Sequence, residues 1–199
     1  HKLMRMRPLA TLVTLTADGL EANPIPLLFD ASAGNGAGVL RGHVARANPL
    51  WKTCLVGSES LAIFHGDDAY VSPSWYPSKH ESGKAVPTWN YVTVQACGVL
   101  RVVDDAAWLR RTLAALTLEH EANFAQPWSI DDAPADYIEK MIAAVVGIEL
   151  TITRLSGKWK VSQNQPSANR KGVEQGLRSL EQAGATGMAD LVATFGTCG

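Results

Sequence analysis

Asn90-Tyr-Val-Thr-Val-Gln-Ala-Cys-Gly-Val-Leu-Arg-Val-Val103 is the stretch from which the fold can be read. Val92, Val94, Ala96, Leu100 and Val102 fall on one side of a two-residue repeat, and Thr93, Gln95 and Arg101 on the other. That is the pattern of a long strand half buried in an antiparallel sheet. Upstream, the β-branched run at 8–16 (PLATLVTLT) predicts another strand. Ala17-Asp18-Gly19 signals a tight turn, so 21–30 reads as its hairpin partner. Pro24 and Pro26 cannot donate ladder hydrogen bonds, which places that partner at a sheet edge or a bulge. A glycine-rich loop at 31–38 leads into a short strand at Val39 and Leu40, ending in a turn at Gly42. Residues 60–65 and 69–72 read as two further strands, followed by a Pro, Ser and Gly-rich loop at 72–86 that carries Trp75 and Tyr76.

Downstream, Asp104 or Asp105 can cap a helix whose inner face is Ala106, Leu109, Leu113 and Leu116. Asp132 and Pro134 begin a second helix burying Ile138, Met141 and Ile142. Ile148, Leu150 and Ile152 then alternate as a strand, and Ser156-Gly157 predicts a turn into a partner strand at 158–163. Helical spacing returns beyond Pro166, with Val173, Leu177 and Leu180 on one face, and a last weak helix covers about 186–195. Many antiparallel strands, with the few helices placed between or after them, argue for a mainly β, α+β protein: an antiparallel β-barrel with peripheral helices. Strict βαβ alternation, GxGxxG and GxxxxGK[ST] are all absent, which excludes a Rossmann or P-loop reading.

The chain has 199 residues, 46% of them apolar, and a formal net charge of −1. One domain over 1–199 is expected, with a helical extension from about 166 to 199. The near-neutral charge gives no support for a large non-specific DNA footprint. Arg170, Lys171 and Arg178 share their helix with Glu174 and Glu181, which fits a solvated face better than a DNA-reading one. Cys54, Cys97 and Cys198 form an odd set without CxxC spacing, as expected of reduced thiols in a cytoplasmic protein. No apolar run approaches the ~20 residues of a membrane-spanning helix, and no signal peptide is visible in a sequence that opens at His1. His43, His65, His80 and His120 lack metal-ligand spacing, so no metal is expected.

Chemistry concentrates in four segments. In the run 39–52, Asn48-Pro49 opens a helix-like segment, with Arg46 and Lys52 close to its open amides. A planar fork, a point charge and backbone amides together suit an anionic head group such as a phosphate. The same spacing fits a solvated basic turn with a cap. In 68–76, aromatics beside Ser72, Pro73 and Ser74 can wall a pocket for a flat ring, or simply pack a loop. In 86–91, Thr88 and Asn90 can bond the polar edge of a heterocycle while Trp89 or Tyr91 packs on its face. In 157–164, Trp159, Ser162, Gln163 and Asn164 cluster polar groups at a strand end, suited to ligand contacts or to hairpin capping. No residue stands out as an acid, base or nucleophile; Tyr70, Tyr76 and His65 are candidates by chemistry alone.

GHVARANPLWK, AYVSPSWY, VPTWNYVTVQACG and GKWKVSQN, the last extended by Asn169-Arg-Lys-Gly172, occur in that order. Taken together they resemble the PaiB family, FMN-binding split-barrel proteins often labelled negative transcriptional regulators. The resemblance runs from about residue 8 to residue 180. Where the family usually has a Thr-His-Leu-Pro-like run, this chain reads Asn23-Pro24-Ile25-Pro26.

What the resemblance implies is a split β-barrel homodimer with flavin sites between subunits. Arg46, Asn48 and Lys52 would hold the FMN phosphate, with His43 and Ala45 lining the approach. Thr88, Trp89, Asn90 and Tyr91 would lie along the isoalloxazine, and Trp159 and Gln163 would come from the neighbouring chain. The implied role is a transcriptional regulator. The alternative is an FMN-dependent oxidoreductase acting on a small molecule, in which the flavin does the redox chemistry and the protein orients it. A third alternative is an interaction scaffold that has lost its cofactor.

Overall fold

The computed structural model describes residues 1–34, 36–79 and 83–195. His80 and Cys198 lie outside the described residues. The strands are β1 (Leu9–Thr16), β2 (Gly19–Pro26), β3 (Leu28–Asp30), β4 (Val39–Ala45), β5 (Glu59–Val71), β6 (Thr88–Val103) and β7 (Val145–Lys160). The helices are α1 (Lys2–Met6), α2 (Leu50–Thr53), α3 (Ala106–Glu121), α4 (Ala135–Ala143), α5 (Ser167–Arg178) and α6 (Ala183–Phe195). Two compact units emerge, one from His1–Phe64 with Gln95–Ser156, the other from His65–Val94 with Gly157–Gly199. Strands β5, β6 and β7 are long enough to contribute to both.

In the first unit the strand order is β2-β1-β5-β6-β7-β4-β3, and β1–β2, β1–β5, β3–β4 and β4–β7 all pair antiparallel. Strands β2 and β3 occupy the two edges, yet a single residue, Leu27, joins them in the chain. So short a link forces the sheet to roll until its edges approach. Gly42 on β4 makes room at that seam: a Cβ there would lie 2.8 Å from the Pro26 carbonyl oxygen and 2.9 Å from the Leu27 side chain. The edges meet without being zipped by a ladder, and the result is a split barrel.

The rolled sheet explains the largest departure from the sequence reading. Residues 21–30 are not one strand: β2 pairs with β1, and the next three residues pair with β4 on the far edge. Pro24 and Pro26 do sit on an edge strand, where a missing N–H costs nothing. Residues 60–65 and 69–72 are one strand, β5, because Gly66-Asp67-Asp68 stays extended. The turn expected at Ser156-Gly157 is absent, and β7 runs through it to Lys160. Gly157 there leaves space for the Trp159 ring, 2.8 Å from where its Cβ would stand.

Helices α3 and α4 pack together through Leu109, Ile138 and Ile142, with Trp108 and Val145 against them. Asp105 caps α3 by accepting from the Trp108 N–H at 2.6 Å. Thr112 is buried on that helix while Ala106 is exposed, and Met141 on α4 is exposed rather than buried. The burial pattern of β6 slips at Ala96-Cys97-Gly98, all buried, so Leu100 and Val102 are only half-buried. Gly98 sits against the Thr151 backbone, which leaves no room for a side chain.

Four strands are tied by one ionic chain. Arg41 on β4 donates to Asp30 on β3 and to Glu149 on β7, each at 2.8 Å, and Arg101 on β6 donates to the other Glu149 oxygen at 2.7 Å. Hydrogen bonds from Ser32 and Arg41 hold Asp30 down at about 2, against a usual 3.8. Burial raises Glu149, but the bonds from Arg101 and Arg41 outweigh it and its net shift is downward. Carboxylates depressed in the folded state contribute stability above their unfolded pKa and lose it as pH falls through the folded value. The wild-type urea midpoint should therefore fall between about pH 4 and pH 2. Asp30→Asn should flatten that part of the profile while leaving a residual slope from Glu149. An unchanged profile in Asp30→Asn would remove Asp30 from the acid response.

In the second unit, the ends of β5, β6 and β7 are covered by α5 and α6. Val71, Val92, Val94, Val173, Leu177, Met188 and Val192 form its buried interior. A short 3-10 turn, Pro73–Trp75, packs on α5 where Gly172 and Gly176 present bare backbone: the Trp75 carbonyl lies over Gly172 and its indole over Gly176. Arg178 joins the two helices, donating to Glu174 at 3.1 Å and reaching Asp190 at 2.9 Å. Leu180, expected on the inner face, is 42% exposed beyond the end of α5.

Candidate functional site

The candidate residues fall into two sets, one in each unit. The first surrounds the turn after β4. His43 is half-buried on β4, and its Nδ1 is enclosed with no partner among the described residues. Burial lowers its pKa, so the imidazole is neutral near pH 7. Ala45 ends the strand in an exposed position.

Arg46 is bound to the protein itself. Its Nε donates to the Ala143 carbonyl at 2.8 Å. Both terminal nitrogens reach Asp104, at 3.0 and 2.7 Å, and one also reaches the Val145 carbonyl at 3.1 Å. The Arg46 guanidinium holds the Asp104 carboxyl below its usual range. A phosphate at this turn would have to share Arg46 with Asp104. The arginine acts first as a clamp from the turn to the start of α3 and the end of α4.

Asn48 shapes the next step. Its Oδ1 accepts from the Leu50 N–H at 2.9 Å, and its Nδ2 donates to Asn23 Oδ1 at 3.0 Å. Helix α2 is only four residues long and begins at Leu50 rather than Pro49. It offers one turn of backbone, with little helix dipole behind it. Trp51 donates its indole N–H to the Arg46 carbonyl at 3.0 Å. Lys52 holds its ammonium 4.8 Å from the Trp51 ring centroid, is exposed, and has no carboxylate partner among the described residues. Lys52 is thus the cation of this turn whose charge is uncommitted, and His43 Nδ1 is its uncommitted polar atom.

The second set lies on β6 and the end of β7. Strand geometry sends successive side chains to alternate sides, and it divides the run 88–91. Asn90 is buried, facing the same way as Val92 and Val94. Trp89 is 53% exposed and meets Tyr70 edge-on at 6.0 Å between centroids, while Tyr91 lies under Lys158 at 5.3 Å and Lys160 at 5.9 Å. The four residues therefore do not present one surface. Trp89 and Tyr91 belong to an aromatic and basic face, while Thr88 and Asn90 line a cavity. Trp159 is 36% exposed. The Gln163 amide folds back on its own strand, donating to the Trp159 carbonyl at 2.6 Å and accepting from the Val161 N–H at 2.8 Å.

Tyr76 is buried, which raises its hydroxyl pKa, while Tyr70 and His65 are exposed. No cluster of metal-ligating side chains occurs among the described residues, and no helix among them is long and apolar enough to cross a membrane.

Residues 1–154 match the family model described as "Putative FMN-binding domain". This chain belongs to that family. FMN is the family's cofactor, and the matched segment draws on residues of both units. The chain is similar to the uncharacterized protein AN0679 of Emericella nidulans, with 32% identity covering 96% of this chain and 90% of that one. It is also similar to the protease synthase and sporulation protein PAI 2 of Bacillus subtilis, with 28% identity over 92% of this chain and 84% of that protein. A PaiB-type member of the FMN-binding family is the identity these matches support.

Among solved structures, the FAD and heme binding protein of Mycobacterium smegmatis shares the fold, with a TM-score of 0.54 and 19% identity over 79% of this chain and 68% of that one. The flavocytochrome Anf3 of Azotobacter vinelandii has the same TM-score at 16% identity, over 79% of this chain and 64% of its own. The chemistry of each set suits a part of FMN. In the first unit Lys52, exposed and without a carboxylate partner among the described residues, fits a phosphate. In the second the half-exposed aromatic faces fit a flat ring.

Proposed function

We propose that this FMN-binding protein works as a homodimer that regulates gene expression, as the PaiB type implies. The observation that carries the regulatory part is the similarity to PAI 2 along most of both chains, since that relative's name ties it to protease synthesis and sporulation. Exposed Trp89, Tyr70 and Trp159 support the dimer, because aromatic side chains left in water are the ones a partner surface covers.

In this reading Lys52 contacts the FMN phosphate, on a turn kept in shape by Arg46 and Asn48. Within the second unit, Trp89, Tyr91 and Trp159 form an aromatic face suited to a flat ring. Bound FMN would supply a redox-active flavin, and this chain's part is to bind it, orient it and limit its contact with water.

Lys52→Ala should weaken FMN binding about tenfold or more, the scale of one lost charge-assisted hydrogen bond, with an unchanged melting temperature. Arg46→Ala should weaken binding and lower the melting temperature together, because the clamp to Asp104, Ala143 and Val145 goes with it. Flavin fluorescence quenching and thermal denaturation read the two effects separately. Equal FMN affinity in Lys52→Ala and wild type would remove Lys52 from the site.

The regulatory reading is tested in the host. Transcript levels should shift when the gene is deleted, recover with the wild-type gene, and fail to recover with Lys52→Ala. Unchanged transcripts, together with NAD(P)H turnover above the free-FMN background, would replace the regulator by an oxidoreductase.

A further inference from the structure

The second unit contains a cavity of about 340 Å³ walled by Tyr76, Ser78, Thr88, Asn90, Lys160, Ser162 and Asn169, among others. Its chemistry is uniform. Apart from two lysines, Lys84 and Lys160, its polar groups are neutral amides and hydroxyls, and no carboxylate lines it among the described residues. Lys160 donates to the Thr88 hydroxyl at 2.6 Å and has no anionic partner among the described residues. Its ammonium also stands 5.9 Å from the Tyr91 ring centroid. A cation held only by a hydroxyl and a ring face at the wall of a polar cavity is a counter-charge waiting for an anion.

The wall behind it is built and rigid. The Asn90 amide and the Ser162 hydroxyl face each other, with contacts of 3.0 and 3.2 Å, and both residues are buried. Ser162 reaches that position at a φ of +60°, an uncommon conformation for a side-chain-bearing residue. Asn169, also buried, fixes another part of the wall by donating to the Ser78 hydroxyl at 3.0 Å and to Gln165 Oε1 at 3.1 Å. Locked amides and hydroxyls are what recognise the hydroxyl groups of a small polar molecule. The cavity opens on the Thr88 and Asn90 side of β6, whereas Trp89 and Tyr91 leave from the other side of the strand.

We propose that this cavity is a binding site for a small hydroxyl-bearing anion of sugar-phosphate size, held at its charged end by Lys160, and that it is filled independently of FMN. The site gives a regulator of this kind an effector, and its argument does not depend on where the flavin sits. Ribose 5-phosphate is a suitable probe, because it also mimics the ribityl phosphate of FMN.

Calorimetric titration of ribose 5-phosphate into the wild-type protein, with and without saturating FMN, should show the same saturable binding in both cases. Lys160→Met should weaken that binding tenfold or more and Lys160→Arg should restore most of it, with both variants folded by circular dichroism. Binding abolished by FMN would assign the cavity to the flavin's own phosphate and overturn the proposal while the flavin reading stands. No binding in either state, or wild-type binding in a folded Lys160→Met, would also overturn it. Failure of the wild type to bind FMN would sink the flavin reading without touching the ribose 5-phosphate result.

Discussion

Phe64→Ala should destabilise the protein by about 3–5 kcal/mol, the range for removing a large aromatic side chain from a packed interior. Phe64 has no exposed surface and lies on β5, next to β1 in the sheet order, where its buried neighbours along the strand are Ser60 and Ala62. Small residues beside it mean that the ring fills most of the local volume and that little can collapse into the hole. At roughly 2–4 °C per kcal/mol for a chain of this size, the melting temperature should fall by about 6–20 °C. Phe64→Leu should recover more than half of the loss. A Phe64→Ala protein that melts within about 2 °C of wild type would mean that the interior of the rolled sheet is not built around this ring.

Gly172→Ala sets two effects of opposite sign against each other. In a helix interior, alanine is better than glycine by about 1 kcal/mol, so helix propensity alone predicts a more stable protein. A Cβ at Gly172 would collide with the Trp75 carbonyl oxygen, and one at Gly176 with the Trp75 ring. Backbone cannot step aside as a flexible side chain can, and overpacking of this kind typically costs about 1–3 kcal/mol or more. The collision should win, with Gly172→Ala less stable than wild type. Gly176→Ala should be milder, since the Trp75 side chain can tilt. Stabilisation in Gly172→Ala would show that the 3-10 turn is not seated on α5 as described.

The two substitutions also mark where sequence reasoning reaches and where it stops. Alternation along β6 was legible because Val92, Val94 and Ala96 obey a local repeat. The two proline positions on β2 were legible for the same reason: an absent donor is a local property. Which strand pairs with which is not local. The break at Leu27, where β2 ends and β3 leaves for the opposite edge, follows from the rolling of the whole sheet. The dipeptide Ser156-Gly157 carries a turn signal that β7 overrides, because a strand continues wherever its neighbours keep their ladder available. Gly172 was visible only as the end of the Asn169-Arg-Lys-Gly172 run, and what requires a glycine there, the Trp75 backbone, comes from nearly a hundred positions earlier in the chain.

The candidate site divides the same way. His43, Arg46, Asn48 and Lys52 were visible as residue types suited to a phosphate. Asp104, which occupies Arg46, lies 58 positions away and carries no signal that pairs it with an arginine. The run 88–91 was recognised as a unit, although the two-residue repeat of any strand sends its members to different sides. Ser162 and Asn164 were noticed as polar groups at a strand end. Lys160 was not singled out, because only the fold brings its ammonium to Thr88 and the cavity wall.

Sedimentation velocity of the purified chain mixed with FMN, followed through the flavin absorbance, tests the central claim most directly. The account predicts that flavin moves with a species of two chains, at one FMN per chain. Flavin left at the rate of free FMN, or carried by a single chain, would contradict it.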